Sequence, residues 1–266
     1  VVAEALMDLP PADRPFVFTK CGLVWDESNR AADPRRFGRP DSIRRECEAS
    51  LRRLRVETID LYQMHWPAED GTPLEDYWGA MLELKREGKV RAVGLSNHDA
   101  EQLARAEAVG HVETLQPQFS AIRRETALAE LPWCEEHGTG VIVYSPMQSG
   151  LLTGSFTRER AANLPDDDWR RMSPDYEGEG LERNLALADA LRPVAERHGT
   201  TVAAVAVAWT LAWPGVTAAI VGARDAKQVD GWIPAASLTL TNADLDEIAA
   251  GIRSSGAGEG PERPGA

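Results

Sequence analysis

The feature that most limits what this chain can fold into is a repeated alternation. A short apolar run is followed by a polar or glycine break and then by an amphipathic helical stretch. "FVFTK" reads as a buried strand and leads to a helix around "SIRRECEASLRRL", with Ile43, Cys47, Leu51 and Leu54 on one face. "TIDLYQMH" leads to "PLEDYWGAMLELKREGK", closed by Gly88, and "VRAVGLSN" to "DAEQLARAEAVG", with Asp99 as its cap. "VETLQPQFS" precedes "ETALAELPWCEEHG", and "TGVIVYSP" precedes a long insert and then "NLALADALRPVAERHG". "VTAAIVGAR" leads to "DAKQVDGWIPA", and a last helix covers "TNADLDEIAAGI". These are about six strand-then-helix units, with strands too apolar to be wetted on one face. Buried parallel sheets have this pattern.

With 266 residues, 43% of them hydrophobic, the chain suits one large α/β barrel or two smaller domains. We read residues 1–252 as a single domain and 253–266, "RSSGAGEGPERPGA", as a disordered tail of glycine, proline and charge. A net charge of −13 repels phosphate backbones and anionic lipid, which argues against nucleic-acid and membrane-surface roles. Cys21, Cys47 and Cys134 have no metal-ligand spacing and read as reduced thiols of a cytoplasmic protein. The opening "VVAEALMDLPPADRP" is a short helical stretch broken by acids and prolines and does not read as a signal peptide. The apolar stretch from Val202 to Val221 is long enough to span a bilayer, but Pro214-Gly215 cuts it into a buried helix, a turn and a buried strand. The insert from Gly150 to Gly180, rich in acids, arginine and tryptophan, is read as a long functional loop over the sheet.

The strand ends carry Lys20, His65, Ser96-Asn97, Gln116, Tyr144-Ser145 and Gly222-Ala223-Arg224. Each has a plain reading taken singly, such as a snorkelling lysine or a satisfied core histidine. Their recurrence at the same end of successive strands is where parallel α/β folds, barrels and doubly wound sheets alike, build ligand sites. No glycine-rich dinucleotide fingerprint opens a helix after any strand, which counts against a Rossmann domain. The chemistry of the set is coherent. A lysine stabilises a neighbouring phenolate, and a neutral histidine donates to a carbonyl oxygen that gains charge. Ser, Asn and Gln match a carboxamide, a tyrosine face stacks on a flat ring, and Gly-Ala-Arg at a helix start suits a phosphate. Together they describe carbonyl reduction by a phosphorylated nicotinamide.

Over essentially its whole length the sequence resembles the aldo-keto reductases, of the bacterial type related to potassium-channel β subunits. The stretches that carry the resemblance are "FVFTKCG", "ECEASLRRLRVETIDLYQMHWP", "LKREGKVRAVGLSN", "LQPQFSAIRRE", "VIVYSPMQSGLLTG" and "AIVGARDAKQVDGW". The resemblance implies an eight-stranded (β/α) barrel, a TIM barrel, and NADPH-linked interconversion of carbonyls and alcohols. It makes Lys20 and His65 catalytic, has Ser96, Asn97 and Gln116 hold the carboxamide, and stacks Tyr144 on nicotinamide. Ser145, Met147, Ser149, Gly150 and Leu151 would line the pyrophosphate, with Gly222, Ala223, Arg224 and Gln228 near the adenosine phosphate. Trp25 and Trp66, which follow the strands bearing Lys20 and His65, are expected to wall the pocket of a small-molecule carbonyl substrate.

Two departures qualify that expectation. Where many members place Glu-Asn against adenine, this chain has Gly231-Trp232. The family's catalytic aspartate and tyrosine have no match ahead of Tyr62. The expectation is therefore a barrel that begins about two strand-helix units late, and a poor reductase as the chain stands. A non-catalytic NADP-binding regulatory protein is the alternative reading. A lyase or isomerase without nicotinamide leaves Ser-Asn, Gln and Arg224 unexplained together.

Overall fold

The alternation becomes parallel strands separated by helices in the computed structural model, which describes residues 1–26, 28, 29 and 32–265. The chain divides after Gln116 into two units. The first contains α1 (Val2–Met7), β1 (Phe18–Cys21), β2 (Leu23–Val24), β3 (Arg35–Arg36), α2 (Pro40–Leu54), β4 (Ile59–Met64), α3 (Leu74–Arg86), β5 (Val90–Ser96), α4 (Ala100–Val109) and β6 (Thr114–Gln116). Strands β1, β4, β5 and β6 pair in that order and all are parallel. The register sets Lys20 beside Gln63, Gln63 beside Gly94, Gly94 beside Thr114 and Ser96 beside Gln116. The short β2 and β3 form an antiparallel ribbon that the sequence reading missed.

Helix positions follow local chemistry. Asp99 caps α4 in a reciprocal capping box with Gln102. After α3, Gly88 takes a left-handed φ of 75°. Ile43, Cys47, Trp78, Met81, Leu84 and Leu103 of the helices are buried, as are Ile59, Tyr62, Met64, Leu95 and Leu115 of the strands. The opening strand differs from its expectation, because Phe16 is 79% and Phe18 51% exposed. β1 lies at the edge of its unit's sheet with β4 as its ladder partner, so the residues of "FVF" are not enclosed on both sides.

The second unit contains α5 (Glu130–His137), β7 (Gly140–Tyr144), α6 (Arg158–Ala162), α7 (Gly178–Ala190), α8 (Arg192–Arg197), α9 (Val202–Leu211), β8 (Val216–Ile220), α10 (Ala226–Trp232) and α11 (Asn242–Ser255). β7 and β8 are parallel. The stretch Val202–Val221 is a helix, a turn and a strand, as its Pro-Gly break implies. Residues Val202 to Thr210 of α9 are all buried, and Trp209 and Trp213 pack with Phe119 at ring separations of 5.3–5.6 Å. No helix among the described residues is long and apolar enough to cross a membrane. β8 is less enclosed than expected, with Ile220 41% exposed, because it pairs with β7 on one side only among the described residues. The insert is not featureless. It forms α6 and short 3-10 turns, and it buries Phe156, Tyr176 and the guanidinium of Arg170.

The tail corrects the sequence reading most clearly. Helix α11 runs to Ser255, and residues 257–260 beyond it lie against the segment around Arg124 rather than being disordered. The buried Arg124 guanidinium donates to the carbonyls of Ala121, Ala257 (3.0 Å) and Gly260 (3.3 Å). Glycine lets the tail approach so closely: a Cβ on Gly258 would stand 1.7 Å from the Ile122 carbonyl oxygen. Composition flagged this segment as disordered, whereas Gly258 and Gly260 serve close backbone packing. Replacing Arg124 with Met leaves two buried carbonyls and a part-buried one without their donor. The expected loss is about 3 kcal/mol in urea-unfolding stability, with faster proteolysis within 253–266. An unchanged midpoint would show that the tail does not depend on this guanidinium.

Candidate active site

In the first unit the parallel register places the C-terminal ends of four strands together. Lys20 lies near the end of β1 and His65 directly follows the neighbouring β4, and both are half-buried. Burial lowers the Lys20 pKa. Burial, reinforced by the Lys20 charge, lowers that of His65 to about 4, so its imidazole is neutral at pH 7. The Trp66 ring stacks beside the His65 ring at 6.5 Å, with the Arg36 guanidinium 4.4 Å from the Trp66 ring. Trp25, just past β2, is 55% exposed.

The tip of β5 is tied to the strands on either side. Asn97, at a left-handed φ of 61° that asparagine tolerates, donates through Nδ2 to the His65 carbonyl at 3.0 Å. Ser96 Oγ and the Asn97 amide both donate to the Gln116 carbonyl, at 2.8 and 3.2 Å. His98, absent from the sequence reading, underlies this turn. It is 2% exposed, its Nδ1 meets the Ser96 carbonyl at 2.9 Å, and its Nε2 meets the Tyr77 hydroxyl at 2.8 Å. A carbonyl only accepts, so Nδ1 carries the proton and Nε2 accepts from Tyr77. The signal was the residue itself, the next after Ser96-Asn97. A histidine at a helix entry resembles many surface histidines until its burial is known.

In the second unit a cavity of about 920 Å³ opens beyond the ends of β7 and β8, within the size range of small-molecule sites. Tyr144, Ser145, Met147, Ser149, Gly150, Gly222, Ala223, Arg224 and Gln228 all line it, as does Trp232. Leu151 departs from its expectation, because it is fully buried and lies outside the cavity lining. The insert supplies one wall through Asp167, Asp168, Trp169 and Arg170. Arg170 holds Asp168 through two hydrogen bonds, at 2.9 and 2.6 Å, and reaches the Ser149 carbonyl at 3.3 Å. The Arg170 contact, helped by the charge of Arg224, keeps the Asp168 carboxyl down at about 2. At the far end, the Arg224 amide donates to Gln228 Oε1 at 2.8 Å. Trp232 also packs on Ala204, Val207, Ala208 and Ala235, and its buried indole nitrogen has no partner among the described residues. The volume, the arginines and the glycine-lined turns fit a nucleotide with its phosphates.

The profile of the Aldo/keto reductase family matches residues 1–252. The chain is 32% identical over 252 residues to the "NADH-specific methylglyoxal reductase" of Escherichia coli, covering 92% of this chain and 76% of that protein. It is also 32% identical over 249 residues to an aldo-keto reductase of Bacillus subtilis, covering 93% and 73%. Among solved structures, a glycerol dehydrogenase from Gluconobacter oxydans superposes with a TM-score of 0.88 at 36% identity, over 98% of this chain and 78% of that one.

The bonded state of His98 has a pH consequence. Burial holds its pKa at about 4 in the folded chain, against the ordinary 6.5. Between those values the unfolded chain binds a proton that the folded chain does not. Stability is therefore level above pH 6.5 and falls as pH drops towards 4, by on the order of 3 kcal/mol. His65 acts in the same direction. Urea midpoints measured from pH 7 to 4.5 should show this slope, and His98→Asn should make it shallower, leaving the part due to His65. Equal slopes in both proteins would mean that His98 titrates alike folded and unfolded.

Proposed function

Because the chain belongs to the aldo/keto reductase family, we propose that it reduces a small aldehyde or ketone to an alcohol with NADPH, on that family's (β/α)8 barrel frame. The observation that carries the reading is the pair Lys20 and His65 at adjoining strand ends, with burial and the lysine charge holding the imidazole neutral. Nicotinamide, when bound, supplies the hydride that the carbonyl carbon accepts. The neutral His65 ring donates a hydrogen bond to the carbonyl oxygen as that atom gains negative charge, the nearby ammonium lowers the cost of the charge, and water supplies the proton that completes the alcohol. Ser96, Asn97 and Gln116 hold the carboxamide, the Tyr144 face stacks on the ring, and Arg224 with Gln228 meets the adenosine phosphate. Tyr62, the first tyrosine of the chain, is not the proton source. It is fully buried, its hydroxyl donates to the Ile43 carbonyl at 3.2 Å, and burial pushes its pKa far up.

The relatives' names direct the choice of substrate. Methylglyoxal for reduction and glycerol for oxidation are the first compounds to assay, followed as absorbance change of the nicotinamide. NADH is the second reading for the cofactor. It is favoured by Asp167, an acidic residue that lines the same cavity as Arg224 and adds negative charge against a further phosphate.

Titration of both cofactors decides between these readings. A charge-assisted contact from Arg224 to the 2′-phosphate is worth about 1.5–3 kcal/mol, or about ten- to a hundredfold tighter binding of NADPH. Arg224→Ala should erase that preference, and equal affinities in the parent protein would favour the NADH reading. For the chemical step, His65→Ala and Lys20→Met should lower kcat with little change in cofactor Kd, because both act on charge developing in the transition state. A protein that binds NADPH tightly but turns over none of these substrates would instead be the regulatory, non-catalytic member.

A further inference from the structure

Resting on the reductase reading above, we infer that Gln63 is a positioning residue. It turns the Gln116 amide so that Gln116 offers its oxygen, rather than its nitrogen, to a nicotinamide carboxamide. Gln63 is the one amide in the otherwise apolar inner run of β4 and is 1% exposed. A buried amide is costly unless both of its ends are bonded, and here both are. Gln63 Nε2 donates to Thr114 Oγ1 at 3.1 Å, and Gln63 Oε1 accepts from Gln116 Nε2 at 2.7 Å.

Those partners lie on β6, two strands away from β4. The register explains how the side chain reaches them. Gln63, Gly94 and Thr114 are successive neighbours across β4, β5 and β6, so they share one face of the sheet. The middle position has no side chain. A Cβ on Gly94 would stand 2.0 Å from Thr114 Oγ1 and 2.6 Å from the Thr114 carbonyl oxygen. Gly94 thus leaves the gap through which Gln63 spans β5. A glycine inside a strand weakens it, so its presence here calls for a close approach of this kind.

The result constrains Gln116 twice. Its backbone carbonyl receives the Ser96 hydroxyl and the Asn97 amide, and its side-chain nitrogen is committed to Gln63. Its side-chain oxygen is then the acceptor presented to a ligand. A carboxamide NH₂ needs such an acceptor, and its carbonyl does not. Gln63 itself touches no ligand in this scheme and acts through Gln116.

The test compares binding of NADP⁺ with that of 3-acetylpyridine adenine dinucleotide phosphate, whose acetyl group keeps the carbonyl but has no NH₂. The parent protein should prefer NADP⁺ by about tenfold, the worth of one hydrogen bond to a fixed acceptor. Gln63→Met should bring the ratio close to one by weakening NADP⁺ while the analogue's Kd stays in place. Gln63→Glu keeps an acceptor for Gln116 Nε2 and should retain the preference. Thr114→Val, which removes the anchor at the far end with little change in shape, should lower the ratio partway. It carries the test if Gln63→Met does not fold. A ratio that survives both Gln63→Met and Thr114→Val, or a parent protein that favours the analogue, overturns the inference while leaving the reductase reading intact. Where the cofactor titrations show the NADH reading, the same comparison is made with NAD⁺ and 3-acetylpyridine adenine dinucleotide, and a parent protein that binds none of these dinucleotides overturns both.

Discussion

The hydrogen-bonded ladders joining β1, β4, β5 and β6 all run parallel, so these four strands finish at one end of the first unit. The candidate chemistry of that unit depends on this. Lys20 and His65 become neighbours because Cys21 is in register with Met64. Ser96 can bond the Gln116 carbonyl because the two are paired. A slip of one residue would turn each side chain to the opposite face and separate these groups. The register is held by the buried apolar residues of β4 and β5 and by the polar chain through Gln63, for which Gly94 makes room.

Burial then sets the charge state of that strand end. Desolvation disfavours the protonated forms of Lys20, His65 and His98 alike, and in the two histidines it wins outright, leaving neutral rings. A neutral His98 can accept from Tyr77 while donating to the Ser96 carbonyl, which a protonated ring could not do. The cavity of the second unit follows the opposite rule. There Asp168 keeps its charge because Arg170 bonds it on two oxygens. One part relies on removing charge and the other on balancing it.

The segment from Ser145 to Gly150, which lines the cavity except at the buried Gln148, also holds unusual backbone. Ser145, Gln148 and Ser149 have φ between 44° and 57°, and Gly150 has 108°. Left-handed conformations cost roughly 1–2 kcal/mol for each non-glycine residue, and such strain collects at ligand-binding turns. Here the surrounding contacts hold it in place. Gln148 bonds the Asp175 carboxylate and receives the Tyr176 hydroxyl on its carbonyl, while Arg170 reaches the Ser149 carbonyl. All three partners come from the insert after β7. This gives the insert a structural reason beyond covering the cavity.

Periodicity alone made the strand-helix alternation, the Asp99 cap and the Pro-Gly break after α9 legible, because each depends on residues close in sequence. The placement of Lys20, His65, Ser96-Asn97 and Arg224 at or just past strand ends was legible from the residue pattern. What escaped depends on neighbours distant in the chain. Burial did not reach Phe16 and Phe18, because edge position is a property of pairing. The tail's glycines looked like disorder until the Arg124 guanidinium met their carbonyls. His98 and Gln63 were silent because a lone histidine or glutamine carries no meaning until its partners are known, and those partners come from α3, β5 and β6. The sequence by itself thus determined which segments become strands and which chemical groups end them. Only the tertiary structure decided which of those groups are desolvated and how they are aimed, because desolvation and orientation are imposed by atoms that the order of residues does not place side by side.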